Sequence, residues 1–253
     1  MKLKNLFLIL LLGLSFCKNP EKKLPEVNSD FKKVLDAHGD WVKWINSKGL
    51  SFTLFHETNM TRENQFFNLQ SRKGLVDSEN FQIGFDGKNV WISPNREAFS
   101  GRSVRFYHNL YFYFFNIPYI LTDPGVKVEK IENRTLNGQS YETFRASFDS
   151  GTGDSPDDQY FLLINPDTNR LEWLIYRVTF FDPENKSFNA LKYEDYRDAG
   201  GLVFPRILTG YILDGDSTSN IRYQVSFGDV VLQEEEFDEE MFQMPHENAV
   251  IAD

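Results

Sequence analysis

Hydrophobic positions change their period along this chain, and each change marks an element. Phe31, Val34, Leu35, Trp41, Val42 and Ile45 recur at helical spacing, opposite Lys32, Lys33, Asp36, Asp40 and Lys43. This predicts one amphipathic helix that opens at Asp30 and ends near Gly49, with Gly39 weakening it by about 1 kcal/mol. From Leu50 the period becomes two. Leu50, Phe52 and Leu54 alternate with Ser51, Thr53 and Phe55, the mark of a strand with one buried face. Asn64 to Arg72 is a second strand candidate.

Turn chemistry then punctuates the chain. Phe81 to Phe85 and Asn89 to Ile92 flank Asp86-Gly87, Val126 to Thr135 and Gln139 to Phe148 flank Asn137-Gly138, and Tyr160 to Ile164 and Arg170 to Phe180 flank Asn165 to Asn169. Asp-Gly and Asn-Gly are the preferred residues of two-residue hairpin turns. Phe188 to Tyr196, Leu202 to Leu213 and Asn220 to Leu232 add three strands, and the acidic run Glu234 to Glu240 reads as a solvated loop before a closing turn.

One segment breaks the β pattern. Between Val104 and Ile117 only Arg105, His108, Asn109 and Asn116 are neither apolar nor aromatic. A helix over about Ser103 to Asn116 would be apolar nearly all round, and such helices are buried. Pro118 ends it, because the residue before a proline is pushed out of the helical region. The interruptions argue against a membrane span. Taken together, the elements predict an α+β, mostly β protein: a single large curved antiparallel sheet, with the N-terminal helix and the aromatic helix covering its concave face.

The first residues have a different purpose. Lys2 and Lys4 precede an apolar core from Leu6 to Leu12, and Leu14-Ser15-Phe16-Cys17 follows, which reads as a lipoprotein signal peptide over residues 1–17. Cys17 would carry acyl chains such as palmitate; an ordinary cleaved signal with an incidental cysteine is the alternative. Residues 18–29 read as a flexible tether and 30–253 as a single domain. Cys17 is the only cysteine, so the mature domain is held by its core without disulfides. The net charge of −10 argues against nucleic acid as a partner and against a broad anionic lipid surface. The expected membrane contact is therefore the N-terminal anchor alone. The expected place is the periplasmic face of a bacterial membrane, the outer membrane foremost.

Several strings occur together: Ala37-His-Gly-Asp-Trp41 with Trp44, Tyr113-Phe-Phe-Asn-Ile-Pro118 followed by Asp123-Pro-Gly125, Gly153-Asp-Ser-Pro-Asp-Asp-Gln-Tyr160, Asn165-Pro-Asp-Thr168, Glu172-Trp173-Leu174 and Gly201-Leu-Val-Phe-Pro205. Over about residues 30–245 the chain resembles a family of bacterial lipoproteins of unknown function, which is in turn similar to the LolA/LolB superfamily. Phe237-Asp-Glu-Glu-Met-Phe-Gln-Met-Pro245 resembles the usual ending of that superfamily. The resemblance implies an incomplete antiparallel β-barrel, LolA/LolB-like, with helices in its open side and an apolar cavity between. LolA and LolB carry the acyl chains of lipoproteins, so it also implies an apolar guest.

Candidate sites follow. In the aromatic helix Tyr107, Tyr111, Phe112, Phe114 and Phe115, with Trp41 from the first helix, are the expected wall of a pocket for an acyl chain or similar ligand; the alternative is that they are plain core. The loop Asp149 to Asp158 is rich in carboxylates, and Asp154, Asp157 and Asp158 are the candidate Ca²⁺ ligands, although the spacing departs from the EF-hand and the same residues suit a long turn. No cofactor is otherwise expected. His38 lies beside the apolar stripe of the first helix, where a satisfied core histidine is the ordinary reading and catalysis the alternative. No Gly-x-Ser-x-Gly, P-loop or His-x-x-x-His occurs, so no enzyme is expected. The leading expectation is a lipid-anchored protein that binds or carries an apolar or amphipathic ligand. A filled-core envelope module and a Ca²⁺-dependent hydrolase using residues 149–158 are the alternatives.

Overall fold

The computed structural model describes residues 24–151, 155, 157–245 and 248–252. The signal segment, with Cys17, lies outside them. The strands are β1 (Gly49–His56), β2 (Thr61–Asn68), β3 (Gly74–Ser78), β4 (Gln82–Phe85), β5 (Val90–Ser93), β6 (Val126–Leu136), β7 (Gln139–Phe148), β8 (Gln159–Ile164), β9 (Leu171–Arg177), β10 (Asn189–Ala199), β11 (Leu202–Asp214), β12 (Ser217–Gln233) and β13 (Val250–Ile251). The helices are α1 (Ser29–Ala37), α2 (Trp41–Asn46) and α3 (Val104–Phe115). None of the described helices is long and apolar enough to cross a membrane.

All strands belong to one antiparallel sheet in the order β13-β5-β4-β3-β2-β1-β12-β11-β10-β9-β8-β7-β6. The chain starts at the centre, steps outward from β1 to β5, jumps to the opposite edge, and steps back inward from β6 to β12, which pairs with β1. The sheet is thus two meanders joined at the β1–β12 seam, and β6 and β13 leave it unclosed. The jump from β5 to β6 contains α3, which is why the aromatic helix must cross the concave face. Its ends are defined locally. Ser103 Oγ accepts a hydrogen bond from the amide of Phe106 at 3.2 Å, and Asn116 donates its side-chain amide to the Phe112 carbonyl at 2.7 Å.

Phe112 and Phe115 drive the core. Phe115 stacks on Phe227 of β12 at 4.2 Å and on Phe204 of β11 at 5.0 Å, and it meets Phe52 of β1 at 4.7 Å. Phe112 packs on Phe67 of β2 at 4.3 Å. α1 and α2 bring Phe31, Leu35, Trp41 and Trp44 into the same cluster.

The convex face carries a second, smaller core of Leu136, Tyr141, Phe161, Leu163, Trp173, Ile175 and Ala190. It is covered because two hairpin tips meet. The Asn137 amide donates to the Asp216 carbonyl at 2.8 Å, and the Asn137 side chain accepts from the Thr218 amide at 2.8 Å. Asn137 and Gly138 both have positive φ, at 51° and 80°, as the tight turn requires.

Two expectations are corrected. The single N-terminal helix is two. The break at His38-Gly39-Asp40 lets the chain pair with the β10–β11 turn: Val203 donates to the His38 carbonyl at 2.8 Å and Asp40 to the Gly201 carbonyl at 2.9 Å. Gly39 is required there, since its φ is 100° and an added Cβ would lie 2.3 Å from the Gly201 oxygen. The second strand ends at Asn68 rather than Arg72, and β3, unmarked in the sequence, follows it.

Candidate functional site

α3 has two working faces. One is spent on the sheet, as described for Phe112 and Phe115. On the other, Phe106, Leu110 and Tyr113, continued by Ile117 in the turn after the helix, face a cavity of about 480 Å³ that opens at the protein surface. That volume falls in the roughly 300–1,000 Å³ range of small-molecule sites. The opposite wall comes from strand ends: Val126 of β6, Phe148 of β7, Tyr160 of β8, then Val178 and Phe180 just after β9. The floor is the short turn after α3, with Ile120 and Leu121. Phe106 also touches Phe180 and Phe181, at 5.3 and 4.8 Å, and these half-buried rings form an aromatic lip.

Polar groups gather at the margins. Arg72 is ion-paired with Asp123 and its guanidinium lies 5.4 Å above the Phe112 ring. Asp158, only 9 % exposed, accepts the Thr179 amide and hydroxyl on one oxygen at 2.7 and 2.8 Å. Burial pushes its carboxyl above the usual range, against the opposing effect of those two bonds. Asn109 and Gln70 add hydrogen-bonding groups to the lining.

Of the residues expected to line a pocket, Phe114 alone does so; it is 3 % exposed and also packs edge-on against Tyr176 at 4.8 Å. Phe112 and Phe115 are core. Trp41 is buried in α2 and donates to Asp36 at 3.2 Å. Tyr107 and Tyr111 point away from the cavity, towards the end of the β1–β2 hairpin. There the Tyr107 hydroxyl donates to the buried carboxylate of Glu63 and lies 2.9 Å from His56 Nε2, while Gln65 donates to the second Glu63 oxygen at 3.1 Å. Burial first, and the Glu63 charge second, push the Tyr107 phenol well above its ordinary range, so it stays a donor. Tyr107→Phe should therefore lower stability by about 1–2 kcal/mol by removing a donor from a buried carboxylate; urea denaturation measures it, and an unchanged midpoint would mean His56 and Gln65 suffice.

The missed wall residues had a signal in part. Phe106, Leu110, Tyr113 and Ile117 fall at i, i+4, i+7 and i+11, one helical stripe. The helix is apolar all round, so spacing cannot say which stripe meets the sheet.

Asp154 lies outside the described residues, Asp158 is committed to Thr179, and Asp157 is exposed. Among the described residues no group of three His, Cys, Asp or Glu side chains is placed to hold a metal ion. His38 is fully buried, with Nδ1 2.7 Å from the Val34 carbonyl, and lies away from the cavity lining.

An unclosed antiparallel barrel with a helix across its concave side and a cavity beside that helix is the LolA-like architecture. The chain belongs to a family of unknown function, DUF6503, whose model matches residues 56–209. Among solved structures, it is similar to a DUF1329 family protein from Desulfovibrio piger, with a TM-score of 0.51 at 8% identity over 85% of this chain and 98% of that one. It is equally similar to a LolA superfamily protein from Nitrosomonas europaea, with a TM-score of 0.50 at 10% identity over 85% of this chain and 96% of that one. No curated protein sequence matches the chain significantly.

Proposed function

We propose that this protein is an exported, lipid-anchored binding or carrier module that holds an apolar or amphipathic guest between α3 and the ends of β6–β9. The observation that carries the reading is the cavity itself. Phe106, Leu110, Tyr113, Phe148, Val178 and Phe180 all present apolar surface to an open space. Apolar surface that a soluble domain keeps in a concave site favours an apolar ligand, since each guest CH₂ buried there contributes about 0.8 kcal/mol. The resemblance to LolA and LolB, which carry acyl chains, supports the same class of guest. The signal pattern of residues 1–17 supports export and an anchor at Cys17, and residues 30–253 form the binding domain in this reading.

N-phenyl-1-naphthylamine, an uncharged apolar fluorophore, tests it. Titration into the mature domain should give a saturable rise in emission with one site per chain. Leu110→Trp puts an indole into the cavity from a half-buried position. It should weaken the probe by about tenfold or more, in line with the loss of a well-packed apolar contact, and leave thermal stability nearly unchanged. Absent or unaltered probe binding would remove this reading.

A further inference from the structure

We infer that the cavity selects guests by head-group charge: it takes acyl chains that end in an uncharged ester, hydroxyl or amide head, and it rejects the free carboxylate of a fatty acid. The inference rests on the proposed binding function and adds the chemistry of the polar end. Among the described residues that line the cavity, the charged ones are Arg72, Asp123 and Asp158. Arg72 is the one cation of that set, and it is already engaged by Asp123, which shares the lining, and by the face of Phe112. An incoming carboxylate could reach the remaining N–H groups of Arg72 only beside the Asp123 carboxylate, which already balances the Arg72 charge. At the other wall it would meet the buried carboxylate of Asp158, which is held by the Thr179 amide and hydroxyl and feels the Arg177 charge from outside the lining. The described lining is thus net negative in a partly desolvated space, where charge repulsion is strongest.

The same groups suit a neutral head. A carboxylate is an acceptor for hydroxyl and amide protons, and the side-chain amide of Gln70 can donate to an ester or amide carbonyl. The elevated proton affinity of Asp158 points the same way, because a site that already resists one negative charge resists a second. Arg102, which lies 4.2 Å over the Phe181 ring beside the aromatic lip, is outside the lining.

Displacement of bound N-phenyl-1-naphthylamine compares heads on one chain length: decanoate, decanamide and monodecanoylglycerol, at mildly alkaline pH where decanoate is ionised. Decanamide and decanoate differ in little but charge. Decanamide and monodecanoylglycerol should each compete at least about tenfold better than decanoate, the size expected for one like-charge contact in a partly buried site. The tighter of the two tells whether an acylated amide or a glycerol lipid is the closer mimic. Asp158→Asn, which keeps the acceptor for Thr179, and Asp123→Asn, which releases Arg72, should each narrow the gap between decanoate and decanamide by about threefold or more. Decanoate competing as well as decanamide in the wild type overturns the charge selection and leaves the binding function standing. Failure of all three to compete, with the fluorophore itself unbound, removes the binding function.

Discussion

Phe115→Ala should destabilise the domain by about 3–5 kcal/mol, the cost of deleting a fully buried phenylalanine from a core that cannot collapse around the hole. Phe115 is 0 % exposed, and its ring touches Phe52, Phe204 and Phe227, one each from β1, β11 and β12. Those strands form the seam where the outward and inward meanders join, so the ring fastens the crossover helix to both halves of the sheet. The same truncation on the other face behaves differently. Leu110 is half-buried and already borders open space, so Leu110→Ala should cost about 1 kcal/mol or less while weakening guest binding. Urea denaturation of both variants separates the faces. At this size, about 4 kcal/mol corresponds to a fall of about 10 °C in Tm. Equal losses in the two variants would mean that α3 has no open face and that the cavity closes in solution.

How much of this was readable beforehand depends on where polar side chains go. The hairpins at Asp86-Gly87 and Asn137-Gly138 and the long strands after Phe188 were legible, because their turn residues and alternation agree. β2 and β3 were not. On β2 the inward positions include Glu63 and Gln65, both nearly inaccessible, while Phe66 points outward to Phe237 at 5.7 Å. A strand that buries a carboxylate to bind Tyr107 reverses the hydrophobic signal on which strand recognition rests. The N-terminal helix break was hidden for a related reason: the requirement at Gly39 comes from the Gly201 carbonyl, remote in sequence. The aromatic helix was located to within a residue, but its orientation was not, since only the strand ends of β6–β9 decide which stripe is left facing space. The candidate site was therefore legible as a segment and not as a surface.

Acid should destabilise this protein through His38 well before its carboxylates are protonated. Burial pushes the His38 imidazole down to about 4, from an ordinary value near 6.5; the Val34 carbonyl 2.7 Å from Nδ1 opposes the shift and Arg170 adds to it. The ring is enclosed by Tyr119 and Tyr196, at 6.3 and 5.3 Å, neither of which carries a negative charge to welcome an imidazolium. Tyr196 donates its proton to the Leu171 carbonyl at 2.6 Å and turns its hydroxyl oxygen to His38 Nε2 at 3.4 Å, so an imidazolium would meet a neutral acceptor there and no countercharge. The folded state therefore binds fewer protons than the unfolded chain between the two values. Stability from this group is complete above the unfolded value and is lost as pH falls from about 6.5 towards about 4, a swing of about 3 kcal/mol. His38→Gln can still donate to the Val34 carbonyl and does not titrate. Denaturation midpoints followed from neutral to mildly acidic pH should converge for wild type and variant, because every other ionisable group is common to both. Parallel curves would mean that His38 is hydrated or charged in the native state, and the close contact between α1 and the β10–β11 turn would then have to open around it.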